Sequence, residues 1–257
     1  MPTLYIVATP VGNLQDITLR ALENLKRVSV VYAKDTRVTR KLFDRYEIAT
    51  SLRSYNQHSD RHKINEITKS LEQGDVALVT DAGTPGIADP GNELVSQLLA
   101  KETAPHVPSL ARRGWGGLHD LKIVPIPGAS AVTAAASVCG FNMSQFSFLG
   151  YVPKKKGRKK FFEKVARSEM PVILYETPHR IVKTLEELKE IVGANGVRPR
   201  VGARLIAPVP RRLVVCRELT KQFESIYRGT IEEVQEQVNK DPVKGEYVMV
   251  IDKSVKS

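Results

Sequence analysis

Residues 9–13 (TPVGN), 81–86 (DAGTPG) and 127–131 (PGASA) are runs of glycine, proline and small side chains, each directly after an apolar stretch. Small residues let a ligand approach backbone N–H groups closely, and open parallel sheets bind ligands just beyond the carboxyl ends of their strands. Any one of these turns is equally an ordinary chain reversal, but the three together point to a single crevice. No GxGxxG follows a strand and no GxxxxGK[ST] occurs, which lowers the ordinary dinucleotide reading and removes a P-loop. A second chemistry is carried by residues 154–160 (KKKGRKK), six cations in seven positions flanked by Tyr151, Phe161 and Phe162. Like charges at that density repel unless a polyanion offsets them, and the neighbouring aromatics suit stacking on bases; the bland alternative is a solvated loop. Residues 175–180 (YETPHR) place a carboxylate, an imidazole and a guanidinium after a strand, although Glu176 and Arg180 are equally readable as a helix-start ion pair. His179 has no second histidine four residues on, so a metal role there is not supported. Residues 35–37 (DTR) and 217–221 (RELTK) carry the same ambiguity.

Charge says which partners fit. The 39 basic and 28 acidic side chains of this 257-residue chain leave a net charge of +11. Residues 1–126 hold 16 basic and 14 acidic groups, whereas residues 127–257 hold 23 and 14, which makes the second half the face for a polyanion. Cys139 and Cys216 have no CxxC neighbour or histidine cluster and read as two reduced, buried thiols. No basic stretch followed by a long apolar run opens the sequence, and no window approaches the ~20 apolar residues of a membrane span, so the expectation is a cytoplasmic protein with no membrane partner.

The elements that must position these groups alternate. Short apolar runs at 4–8, 28–33, 76–80 and 122–126 read as strands, with helical spacing over 17–26, 64–73, 93–101 and 130–138. The pattern then restarts with strands at 146–149, 171–175, 213–217 and 247–251 and helices at 160–167, 181–192 and 231–240. Such alternation predicts an α/β fold of two α/β domains, residues 1–126 and 127–257, with parallel or mixed sheets. Residues 103–118 and 193–212 break the rhythm and read as irregular surface insertions.

In order along the chain, LYIVATPVGNLQDITLRAL (4–22), DTRVTRKL (35–42), SYNQHSD (54–60), DVALVTDAGTPGIADPG (75–91), IVPIPGASAVTAAASVCG (123–140), FLGYVPKKKGRKK (148–160), ILYETPHRI (173–181), CRELTKQFESIYRGT (216–230) and GEYVMVI (245–251) form a set. The set resembles the tetrapyrrole-methylase-like class III S-adenosylmethionine-dependent methyltransferases, and within them the branch that methylates a cytidine ribose 2′-hydroxyl in 16S rRNA. The resemblance implies S-adenosylmethionine as cofactor, folded into a cleft between the two α/β domains, the small ribosomal subunit as partner, and a homodimer. It also implies cofactor contacts at Pro10 and Gly12, at Asp81, Ala82, Gly83 and Thr84, at Ser130 and Ala131, and at Tyr175. RNA contacts are implied at Arg37, Lys154, Lys155, Lys156, Arg158, Lys159, Lys160, His179 and Arg180. One departure is Lys34, where the family usually has an acid before DTR, and the two insertions are others.

Methyl transfer from a sulfonium to oxygen is an in-line displacement, so alignment supplies most of the acceleration and proton removal the rest. Asp35, Glu176, Glu218 and His179 are open candidates for the base, and no metal is required. Two other functions stay in view: methylation of a tetrapyrrole carbon, for which a seven-residue basic strip is superfluous, and a noncatalytic RNA-binding assembly factor, for which the three turns are superfluous.

Overall fold

The computed structural model describes residues 1–56, 61–103, 120–193, 200–201, 204–205 and 211–252. Of the two segments read as insertions, residues 104–118, 194–199, 202–203 and 206–210 lie outside these. The chain divides into two compact units, Met1–Ser130 and Ala131–Ser257.

The first unit is built on a five-stranded parallel sheet in the order β3-β2-β4-β1-β5, comprising β1 Thr3–Val7, β2 Val30–Ala33, β3 Ser51–Ser54, β4 Val76–Val79 and β5 Lys122–Ile126. Its helices are α1 Leu19–Arg27, α2 Thr36–Arg45, α3 Arg61–Gln73 and α4 Asn92–Thr103. Alternate residues of each central strand feed opposite cores. Leu4, Val30, Tyr32, Val76 and Leu78 pack with Ile64, Ile67 and Leu71 of α3 and Leu94 and Leu98 of α4. Val7, Val31, Ala33, Ala77 and Val79 pack with Ala21 and Leu25 of α1 and Leu42 and Phe43 of α2. Burial on both faces is why β2 and β4 are apolar at every position. Strand β1 lies between β4 and β5, pairing Leu4 with Val76 and Thr3 with Lys122.

The second unit holds a mixed sheet in the order β11-β10-β12-β7-β6, with β6 Ser147–Tyr151, β7 Val172–Glu176, β10 Arg212–Arg217, β11 Ser225–Thr230 and β12 Tyr247–Ile251. Only β6 and β7 run parallel; the other three pairings are antiparallel. A two-residue pair, β8 Arg200–Val201 and β9 Arg204–Leu205, stands apart. Helices α6 Arg158–Ala166, α7 Ile181–Leu188 and α8 Ile231–Lys240 cover one face through Phe162, Val165, Leu185, Val234 and Val238, while α5 Ala131–Val138 covers the other through Val132 and Ala135. Helix α8 starts with a capping box, the Thr230 hydroxyl accepting from Glu233 N–H while the Glu233 carboxylate accepts from Thr230 N–H.

Three elements escape the sequence pattern. Helix α2 buries only Thr39, Leu42 and Phe43 and is otherwise polar, so its period is faint, although Asp35 caps it by accepting from Arg37 N–H. Edge strand β3 is short and mostly exposed. Strand β11 shows one buried residue, Tyr227. The expected helix over 181–192 is α-helical only to Leu188, and Lys189–Gly193 continue as a π-turn.

Candidate active site

The order β4-β1-β5 puts the three small-residue turns at the carboxyl ends of three adjacent parallel strands. Backbone bonds lock them together. Thr9 N–H donates to Gly83 O and Gly83 N–H to Thr9 O, both at 2.9 Å, a single antiparallel bridge at the mouth of a parallel sheet. Thr9 Oγ1 donates to Thr80 O at 3.2 Å, and Thr84 Oγ1 donates to Ala129 O at 3.2 Å, tying the second turn to the first and the third. Gly83 has φ +74°, a left-handed conformation that side chains with a Cβ resist. Gly128 lies so near β1 that a Cβ there would come within 3.1 Å of Ala8 Cβ. Pro10 and Gly83 are buried, Asp81, Ala82, Thr84 and Ser130 are half-buried, and Gly12 is exposed. Ala131 opens α5 in the second unit. Thr9, which opens the 9–13 turn but is not among the expected cofactor contacts, is central to the construction; its position directly before Pro10 at a strand end is the signal that marks it.

The acidic rim of these turns is tied to a cation. Asp81 Oδ1 accepts from Asp35 N–H at 3.0 Å, and Lys34 Nζ lies 3.4 Å from Asp81 Oδ2 and 2.6 Å from Asp89 Oδ1. Burial alone would lower the Lys34 pKa, but the hydrogen bond and charge of Asp89, with those of Asp81, raise it. Where the family usually carries an acid, this chain thus fixes two other acids. Asp35 itself is lowered to about 2 by hydrogen bonds from the Arg37 side chain and backbone. Arg37 is exposed apart from that pair, with its Nη2 at 2.7 Å from Asp35 Oδ2.

In the second unit Tyr175, at the end of β7, meets Phe148 and Tyr151 edge-on with ring centroids 4.9 and 5.4 Å away. Its neighbour Glu176 is buried, with a side chain wholly out of solvent. Arg180 Nη2 lies 2.6 Å from Glu176 Oε1, Thr177 N–H donates to the same oxygen, and the Thr184 hydroxyl donates to Oε2 at 2.6 Å. The two arginines of this network hold the start of the basic loop. Arg180 Nη1 donates to Val152 O and Arg158 Nη1 to Pro153 O, both at 2.9 Å, while Arg158 also bonds Thr184 Oγ1 and the Glu187 carboxylate.

This arrangement corrects two RNA-contact expectations. Arg158, grouped with its neighbours in KKKGRKK, turns inward and is 9% exposed, because Gly157 takes φ +83° and starts α6 with Arg158 on the buried face. Arg180 is likewise spent on internal partners. Lys154, Lys155, Lys156, Lys159 and Lys160 are exposed, as is His179. Among the candidate bases, Glu176 is sealed by the partners above. Glu218 accepts from Lys221 Nζ and Glu246 N–H; burial pulls its pKa up, and these partners outweigh that and lower it. The missed members of the network are Thr184 and Glu187, which the helical pattern of 181–192 had already placed on one turn-spaced face.

Comparison with known proteins identifies the family. A family model described as Tetrapyrrole (Corrin/Porphyrin) Methylases matches residues 3–235. Ribosomal RNA small subunit methyltransferase I of Neisseria meningitidis is 40% identical over 97% of this chain and 75% of its own length. The chain belongs to this methyltransferase family. The protein of the same name in Halalkalibacterium halodurans is 35% identical over 97% of the chain and 75% of its length. Among solved structures, the cobalamin biosynthetic enzyme cobalt precorrin-4 methyltransferase superposes with a TM-score of 0.62 at 16% identity, over 97% of this chain and 94% of that one, a likeness of fold. The α/β architecture and the methyltransferase activity read from the motifs therefore stand, and a noncatalytic assembly factor is set aside. Among the described residues no helix is long and apolar enough to cross a membrane, and no group of three or more metal-ligating side chains is found.

Proposed function

We propose that the protein transfers a methyl group from S-adenosylmethionine to the 2′-hydroxyl of a cytidine ribose in 16S rRNA of the small ribosomal subunit, in the cytoplasm and as a homodimer. The observation that carries the donor site is the locked meeting of the three turns at the ends of β4, β1 and β5. The small side chains of the three turns and the positive-φ Gly83 fit a flat, polar-edged ligand lying against backbone. Pro10, Gly12, Asp81, Ala82, Gly83, Thr84, Ser130 and Ala131 are the residues assigned to it, with Tyr175 included because the resemblance implies it.

The sulfonium cofactor supplies an electrophilic methyl carbon. The chain's own task is alignment, worth more than any single proton transfer in a displacement of this kind. The backbone bonds between Thr9 and Gly83 and the Thr84 hydroxyl bond to Ala129 O keep the turns from collapsing before ligand arrives, so little ordering is left to be done on binding. The exposed lysines of 154–160 attract the phosphodiester backbone, and Arg37 and His179 are assigned as further contacts. A tetrapyrrole acceptor is the weaker reading: the tetrapyrrole enzyme resembles this chain in fold at 16% identity, whereas the relatives at 35–40% are named for ribosomal RNA.

Incubation with labelled S-adenosylmethionine and, separately, assembled small subunits, free cytidine and a uroporphyrinogen-type macrocycle tests this. Label on a ribose oxygen of the subunit RNA is expected, because a 2′-hydroxyl inside folded RNA is presented by its surroundings. Label on a base or on the macrocycle would overturn the assignment. Light scattering at about twice the monomer mass checks the dimer.

A further inference from the structure

The basic run does not end where its sequence signature ends. Beyond Lys160, helix α6 carries Lys164 and Arg167 just past its last turn, at spacings of four and three residues, which puts all three cations on one face over about 10 Å. All three are exposed. Glu163 stands among them, three residues from Lys160 and four from Arg167, yet none of these four charges closes an ion pair among the described residues. They line a cavity of about 530 Å³, within the range of small-ligand sites, whose other walls are Ser147, Leu149, Ser168 and Val172. The cavity opens at the amino ends of β6 and β7, at the opposite end of those strands from Tyr151 and Tyr175.

We propose that this cavity is a nucleotide-binding site for RNA, in which Lys160, Lys164 and Arg167 hold the phosphodiester backbone and Glu163 accepts a hydrogen bond from the amino group of an unpaired cytosine. The inference rests on the RNA substrate proposed above and adds a second point of attachment, wholly within the second unit. Three cations without a carboxylate partner describe a surface whose counter-charge comes from outside the chain. A bare phosphate track would have no use for a carboxylate in its midst. A base bearing an exposed N–H donor does, and cytosine offers its N4 amino group where uracil offers an acceptor. Leu149 and Val172 give the cavity an apolar floor against which a ring face can lie, and the Ser147 hydroxyl supplies an adaptable partner for a sugar or phosphate oxygen.

The probes are single-stranded 12-mers of oligocytidine and oligouridine, titrated by fluorescence anisotropy over a series of salt concentrations. The wild-type protein is expected to favour oligocytidine about fivefold, and Glu163→Ala to bring that ratio to about one while strengthening oligouridine binding. Lys164→Ala combined with Arg167→Ala is expected to reduce the slope of log affinity against log salt by roughly 1.4, two contacts at about 0.7 each. All substituted residues are at or near the surface, so thermal melting should be unchanged. A slope unaltered in the double variant, or a cytosine preference absent from the wild type or retained in Glu163→Ala, overturns the site. If Lys154, Lys155, Lys156 and Lys159 still govern the slope in that case, the RNA reading survives without it. No binding by the wild type to either oligomer or to small subunits defeats the RNA reading itself.

Discussion

The turns of the first unit and the basic region of the second are built from opposite materials, which suits them to the two recognition tasks proposed for them. Around Thr9, Gly83 and Ala129 the contacts run between backbone groups and short hydroxyl side chains, and a nearby cation, Lys34, is already committed to Asp89 and Asp81. From Lys154 onward the working groups are long, exposed side chains, and order is imposed from beneath by a sealed network around Glu176. A site made of backbone depends on shape and is indifferent to ionic strength. A site made of surface lysines depends on ionic strength and tolerates imprecise shape. The buried network belongs to neither kind: its charges are screened by protein, so it responds to substitution and hardly at all to salt.

Substitution of Glu176 should have the largest effect and should separate the sealed network from the loop it carries. Glu176→Ala leaves Arg180 and, more distantly, Arg158 without their shared carboxylate in a buried setting, and a loss of about 3 kcal/mol is expected from urea unfolding, nearly the same at low and high salt. A strongly salt-dependent loss would mean that the network behaves as surface. Next in size, Gly83→Val should weaken S-adenosylmethionine binding at least about 100-fold by calorimetry, since a β-branched residue resists φ +74° and its methyl groups crowd Val11. Gly83→Ala, whose Cβ would clear Val11 Cγ1 by 3.5 Å, should lose far less. Equal losses in the two variants would place the constraint in backbone strain alone rather than in the shape of the pocket.

Changing Lys154, Lys155, Lys156 and Lys159 together to Gln should lower the salt slope of RNA binding by roughly 2 to 3 at about 0.7 per phosphate contact, with cofactor binding untouched. A change in cofactor affinity would blur the division of labour between the two regions. The smallest effect is expected at Cys216, whose thiol burial pushes up to about 12 from an ordinary 9.0. Its folded-state pKa is raised, so its contribution to stability is whole below about pH 9 and is lost as pH climbs from there through 12. Iodoacetamide at pH 8 should leave Cys216 unmodified in the native protein and label it in denaturant, as read by mass spectrometry; rapid native labelling would show that the core beneath α5 opens.

Much of this was legible in the sequence because the strands are buried on both faces. Val30–Ala33 and Val76–Val79 are continuous apolar runs that admit few other readings, and each is followed or preceded by an amphipathic helix. The three turns were legible for the same reason, being abrupt departures from apolar runs. Edge strand β3 was not, since Ser51 and Arg53 face water and give no periodic signal. Nor was the inward turn of Arg158: within KKKGRKK nothing local distinguishes it from its neighbours, and only the left-handed Gly157 and the distant Thr184 and Glu187 decide its direction. The Thr9–Gly83 bridge was invisible because it joins residues 74 positions apart.

The central place of β1 also dictates an order of assembly. On a ribosome making the chain from its amino end, Thr3–Val7 emerges first, yet its pairing with β5 awaits residues 122–126. At about 5–20 residues per second that interval is roughly 6–24 s. Gly128 settles against Ala8 and Ala129 accepts from Thr84 only after β5 has been added, so the third wall of the proposed donor site is the last part of the first unit to be synthesised. A nascent chain arrested before residue 122 would carry the first two glycine-rich turns without the third, and the proposed donor site, which also takes in Ala131 and Tyr175, would be complete only after the second unit has followed.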